Sequence, residues 1–116
     1  MSTWIGVSCN YMLPELRKFY PRKELQYGEN GLLQSITLAG GVPVLLPFLE
    51  PLQSPEQSAH LFLERLDALV ISGGADLDPA LYGEVLANEK WSHHPQRDRL
   101  ELALIEEAKR QLARWN

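Results

Sequence analysis

Short, predominantly apolar runs alternate with amphipathic stretches along this chain. Trp4–Cys9 (WIGVSC), Val42–Pro47 (VPVLLP) and Ala68–Ser72 (ALVIS) are rich in β-branched residues and do not alternate in polarity. That pattern suits strands of a parallel sheet covered on both faces. Between the first two, Glu29–Ala39 places Leu32, Leu33, Ile36 and Leu38–Ala39 on a helical face and then meets Gly40-Gly41, a helix stop. Ser54-Pro55-Glu56-Gln57 reads as a helix start. The serine is the N-cap, proline takes the first helical position, and glutamine follows three residues after the cap. This helix is predicted to reach Leu66 and to bury Leu61, Phe62 and Leu66. A last helix is predicted over Arg97–Arg114, with Leu100, Leu104, Ala108 and Gln111–Leu112 on one face. The i,i+4 pairs Arg97–Glu101 and Glu106–Arg110 would then support its other face. Asn10–Gly28, interrupted by Pro14 and Pro21, predicts an irregular loop with one short helical turn.

The order is βαβαβ, a loop, then α: an α/β chain whose crossovers should be right-handed. No internal repeat or domain linker is visible. Three strands make a small sheet, and the final helix should lead into a fourth, yet "LARWN" ends the sequence. The expectation is that residues 1–116 form the N-terminal part of one larger domain.

Composition narrows the function classes. The 116 residues are 45% hydrophobic and 22% charged, with a net charge of −4, as in an ordinary globular protein. That charge balance does not favour nucleic acid, whose partners need a basic stripe, nor strong attraction to anionic lipid. No apolar run approaches the length of a membrane span, and the N-terminus lacks the basic start and apolar run of a signal peptide. The lone cysteine, Cys9, forms no internal disulfide, which favours a reducing, cytoplasmic setting.

The unusual stretch is Leu69–Glu84, LVISGGADLDPALYGE, where a strand runs into Gly73-Gly74. In open α/β sheets ligands bind beyond the carboxyl ends of the strands. Paired glycines there let the backbone approach a ligand closely and aim N–H groups at an anion. Asp76 and Asp78 would repel a phosphate, the loop holds no Lys or Arg, and neither GxGxxG nor GxxxxGK[ST] occurs. A developing oxyanion is the anion that fits. A plain turn joining strand to surface is the competing reading.

Three segments occur in order: AGGVPVLLP (Ala39–Pro47), LDALVISGGADLDPALYGE (Leu66–Glu84) and RDRLELALIEEA (Arg97–Ala108). Together they resemble the N-terminal part of class I glutamine amidotransferase-like hydrolases, and within them the gamma-glutamyl-gamma-aminobutyrate hydrolase group. The resemblance implies a flavodoxin-like three-layer fold. It also implies a cysteine nucleophile in a G-x-C-x-G strand-to-helix elbow, a distal His–Glu pair, no cofactor, and a small gamma-glutamyl substrate. It assigns oxyanion-hole backbone N–H groups to Gly73 and Gly74. The sequence departs from the family here: no G-x-C-x-G is present, and the strand expected to carry it and the distal His–Glu pair are not found among these residues. By the resemblance, then, these residues carry half an oxyanion hole and no nucleophile, and should be inactive alone.

Other residues carry weaker signals. Cys9 lacks a glycine elbow and a nearby histidine, so it reads as a small buried thiol. His93 and His94 are adjacent, and neighbouring histidines as a rule point apart, so they suit a polar loop better than a metal centre, which needs three or four converging ligands. His60 reads as a boundary residue on its helix. Asp76 and Asp78 read as turn caps, and Tyr82 as a residue packing across the loop. Asp98 offsets the dipole of the last helix. Arg97 is placed to reach the glycine loop or a substrate carboxylate, which suits its planar fork.

The leading expectation is therefore a gamma-glutamyl amide hydrolase acting through a cysteine thioester, of which this chain is one part. The alternative is a non-catalytic assembly module whose open sheet edge is completed by a second copy or another chain. A third reading is a truncated product without function.

Overall fold

The computed structural model describes residues 2–12, 22–72 and 94–114. Their elements run β1 (Thr3–Ser8), β2 (Asn10–Met12), β3 (Leu25–Tyr27), α1 (Asn30–Leu38), β4 (Gly41–Leu46), α2 (Pro55–Leu63), β5 (Ala68–Val70) and α3 (Pro95–Arg114). The three expected strands are β1, β4 and β5. They form one parallel sheet in the order β4-β1-β5, so the first strand in sequence is the central one. Thr3–Ser8 runs beside Gly41–Leu46, and Ile5–Val7 beside Ala68–Val70. This α/β arrangement is consistent with a partial flavodoxin-like fold.

The crossover from β1 to β4 and the one from β4 back past β1 to β5 run in opposite directions across the sheet, so right-handed connections put α1 and α2 on opposite faces. On one face Ile5 and Ile36 close over Gly41. On the other, Leu46, Phe48, Ala59, Leu63, Leu100 and Leu104 form one buried cluster uniting β4, α2 and α3. Gly6 faces this second layer, and a Cβ there would collide with the side chains of Leu66 and Leu46. Pro43 is tolerated because β4 lies at the edge of the three strands. Asp67 fastens the opposite end of the sheet: Trp4 N donates to its carboxylate and its own N–H donates to Trp4 O, both at 2.8 Å.

Helix starts follow the sequence closely, and buried faces less so. Ser54 caps α2, accepting from Gln57 N at 3.1 Å. The helix ends at Leu63 rather than Leu66, and Ala59 and Leu63, four residues apart, turn fully inward. Leu61, Phe62 and Leu66 are only half-buried. In α1, Ile36 is the buried residue. Leu38, two positions on and so on the far side of the helix, is 88% exposed. Gly40, at φ +94°, ends that turn. α3 starts two residues earlier than expected. Its Arg97–Glu101 pair lies inside the protein rather than on the outer face, with side chains only 3% and 5% exposed. Arg110 pairs with Glu107 at 2.6 Å instead of Glu106.

The Asn10–Gly28 expectation needs correction as well. β2 and β3 pair antiparallel, Asn10 opposite Tyr27 and Met12 opposite Leu25. The amide side chain of Gln26 then exchanges two bonds with the Phe48 backbone, at 2.8 and 3.0 Å, tying this ribbon to the chain after β4. Three-residue strands are too short to show periodicity, so only their partners reveal them. Residues 13–21, where the helical turn was expected, lie outside the described residues. Among the described residues no helix is long and apolar enough to cross a membrane.

Candidate active site at the carboxyl edge of the sheet

Parallel strands end on the same side, so the carboxyl ends of β1 and β5 meet at one edge with the start of α3 beside them. Ser8 closes β1, Cys9 follows it, and Ser72 lies two residues beyond β5. All three are buried. The Ser8 hydroxyl donates to Glu101 Oε1 at 3.1 Å and accepts from the Ser72 backbone N–H at 2.9 Å. Ser8 lies on the same face of β1 as Gly6 because side chains alternate along a strand, which is why it meets α3.

Arg97 enters from the first turn of α3. Its Nε donates to Cys9 O at 3.0 Å and its Nη2 to Ser72 O at 3.1 Å. Nη2 also lies 3.0 Å from Glu101 Oε1, one turn further along α3. One edge of the guanidinium thus spans the ends of two strands, while the carboxylate of Glu101 balances its charge. Burial pushes the Glu101 carboxyl above its ordinary range, and the Arg97 charge and the Ser8 bond offset part of that rise.

His94 caps the same helix. Its Nδ1 accepts from Arg97 N at 3.3 Å, so the neutral ring carries its proton on Nε2. The imidazole packs against both Tyr11 and Phe48, with centroid distances of 3.8 and 4.8 Å. Burial draws its pKa below 6.5, and the charges of Arg99 and Arg97 act the same way against those of Glu24 and Asp98. The role found for His94 is therefore a cap and a packed ring, rather than a polar loop residue.

Cys9 is 4% exposed, and burial pushes its thiol pKa up despite the pull of Arg97. A thiol held protonated is a poor nucleophile. His60 is half-exposed on α2 between Glu64 and Glu107, away from this edge. Asp98 lies in the first turn of α3, fully buried. Gly73, Gly74, Asp76, Asp78, Tyr82 and His93 lie outside the described residues. Ser72 is the residue that leads into them.

The structure thus brings Arg97 to the backbone of Cys9 and of Ser72, the last described residue before Gly73. It adds Ser8, which sequence reasoning did not single out, and Glu101, which it placed only in a surface pair with Arg97. A serine at the end of an apolar strand, and a glutamate one turn after an arginine, were the available signals. Both patterns also have surface explanations, so neither was decisive.

Comparison with known proteins places these features in a wider group. The family described as Peptidase C26 matches residues 3–113. Protein NtpR of Enterococcus hirae is 30% identical over 107 residues, covering 92% of this chain and 42% of NtpR. A Mycobacterium tuberculosis protein named provisionally as a glutamine amidotransferase is 46% identical over 72 residues, covering 62% of this chain and 22% of that protein. A Rickettsia prowazekii protein named provisionally as glutamine amidotransferase-like is 29% identical over 75 residues, covering 64% of this chain and 25% of its own length. The chain spans less than half the length of each of these relatives.

Proposed function

Because the chain belongs to the Peptidase C26 family, a class I glutamine amidotransferase-like family, we propose that it forms the oxyanion-hole side of an amide hydrolase acting on gamma-glutamyl substrates such as gamma-glutamyl-GABA or glutamine. The observation that carries this reading is the position of Ser72. It is buried at the carboxyl edge of the sheet, held by Ser8 and Arg97, and it delivers the chain directly into Gly73-Gly74.

In this reading a cysteine thiolate attacks the amide carbonyl, and the charge that forms on oxygen is met by backbone N–H groups of the glycine segment. The C–N bond then breaks, the amine leaves with a proton from a histidine, and water cleaves the thioester to release glutamate. In this reading the nucleophile is not among these 116 residues: the sequence has one cysteine, and its burial and raised pKa oppose that role. We therefore assign turnover to an assembly in which a G-x-C-x-G strand and a His–Glu pair are also present, and none to the 116 residues alone.

The test is release of glutamate from gamma-glutamyl-GABA and from glutamine. It is run on the purified 116-residue chain and on the gene product as the cell makes it. Turnover by the latter that survives Cys9→Ser, with none from the former, is the expected outcome. Activity of the 116-residue chain that disappears with Cys9→Ser would overturn the reading of Cys9. Absence of turnover in both preparations would overturn the hydrolase reading.

One observation favours a second reading, an assembly module. An apolar groove between β5 and α3 is lined by Leu66, Leu69, Ile71, Ile105 and Leu112. Among the described residues β5 pairs only with β1. A self-associating chain with no amide turnover in any preparation would support that reading, and a cooperative monomer would count against it.

A further inference from the structure

The function proposed above needs backbone N–H groups aimed to within a fraction of an ångström, and something must hold the strand ends that carry them. Carbonyls at the last turns of parallel strands are a weak point. They have outrun the ladder, and if buried they need another donor. Cys9 O and Ser72 O are two such carbonyls, one after β1 and one after β5. Both accept from the same guanidinium edge, Nε to Cys9 at 3.0 Å and Nη2 to Ser72 at 3.1 Å.

We propose that Arg97 is a positioning residue for amide hydrolysis. It clamps the ends of β1 and β5 at a fixed separation and so sets the direction in which the chain leaves Ser72. This inference rests on the hydrolase reading. It differs from a role in gripping the substrate, because these donors point at the protein's own backbone.

Three features support the assignment. The side chain is 3% exposed, which suits an internal strut better than a hand extended to solvent. Its orientation is over-determined: Glu101 Oε1 holds Nη2 at 3.0 Å, and Ser8 in turn holds the same carboxylate oxygen at 3.1 Å. Ser8 also accepts the Ser72 N–H at 2.9 Å, so Ser72 is gripped at both its N–H and its C=O by one connected network. A lysine could not reproduce the clamp. Its ammonium is a point donor on a flexible stem, whereas the two carbonyls are matched by two parallel N–H bonds from a rigid plane.

The test has two arms, using Arg97→Lys and Glu101→Gln. The first reads backbone amide exchange and needs no activity. In Arg97→Lys the Ser72 amide should exchange at least about tenfold faster while the Val7 and Val44 amides change by less than about threefold. Glu101→Gln, which keeps the arginine but loosens its anchor, should move the same amide in the same direction by less. An unchanged Ser72 amide, or a rise shared equally by all three amides, would overturn the proposal. The second arm reads turnover of gamma-glutamyl-GABA in the gene product. Arg97→Lys should lower kcat at least about tenfold with KM within about threefold. A raised KM with kcat retained would overturn positioning in favour of substrate contact. If the wild type turns over no amide, the hydrolase reading falls, and the exchange arm alone decides whether Arg97 clamps the strand ends.

Discussion

The Ser8 hydroxyl on β1 donates to Glu101 on α3 at 3.1 Å, across 93 positions of the chain and inside the protein. The same oxygen receives the Ser72 backbone N–H. One small side chain thereby joins the central strand, the end of β5 and the helix behind them. Removing it leaves a buried N–H and a buried carboxylate each short of a partner. Ser8→Ala should therefore cost about 1–3 kcal/mol, read as a lowered midpoint in urea unfolding. Ser8→Cys, which keeps a weak donor and similar volume, should recover part of the loss.

Glu101 should make stability depend on pH in a particular direction. Its folded pKa lies above the ordinary 4.5 because burial disfavours the charged form. The folded state then holds the proton more tightly than the unfolded state does. Its contribution is full below the unfolded pKa and drains as pH rises through the raised folded value. Glu101→Gln cannot titrate. Wild type should therefore lose stability relative to Glu101→Gln as pH rises from about 4 toward neutrality, measured as paired urea midpoints. A gap that moves the other way would mean that the Arg97 ion pair outweighs burial.

His94 should act in the opposite sense. Burial lowers its folded pKa below 6.5, so the unfolded state binds the proton more readily. Stability from the neutral ring is full above the unfolded value and is lost as pH falls toward the folded one. Protonation also places a positive charge at the start of α3 and removes the acceptor that caps Arg97 N. His94→Asn keeps a capping oxygen and cannot titrate. Its melting temperature should start lower at pH 7, because the contacts with Tyr11 and Phe48 are lost. It should then fall less steeply than that of wild type between pH 7 and 5.

Gly6 tests the packing of the central strand. A Cβ there meets Leu66 and Leu46, both committed to the layer beneath α2 and α3. Gly6→Ala should destabilise by about 1–3 kcal/mol through overpacking. Pairing it with Leu66→Ala should recover part of the loss, and urea midpoints of the single and double variants will show whether the two are coupled.

The α/β class, the three parallel strands, the three helices, the Ser54 cap and the glycine stop of α1 were legible in the amino-acid sequence. Each is written in local signals: an apolar run, a cap followed by proline, a glycine after a helix. Chain order also makes the Gly73–Gly74 stretch a candidate site, because it follows a strand of a parallel sheet, but it lies outside the described residues. What local patterns could not supply was decided in three dimensions. Spacing placed Arg97 and Glu101 one turn apart on α3 but not on its buried side. That depended on the ends of β1 and β5 meeting there with carbonyls and a serine hydroxyl to satisfy. The β2–β3 ribbon and the cap formed by His94 were hidden for the same reason. Their partners lie far away in the chain, and hydrogen bonds between distant residues leave no period in a sequence.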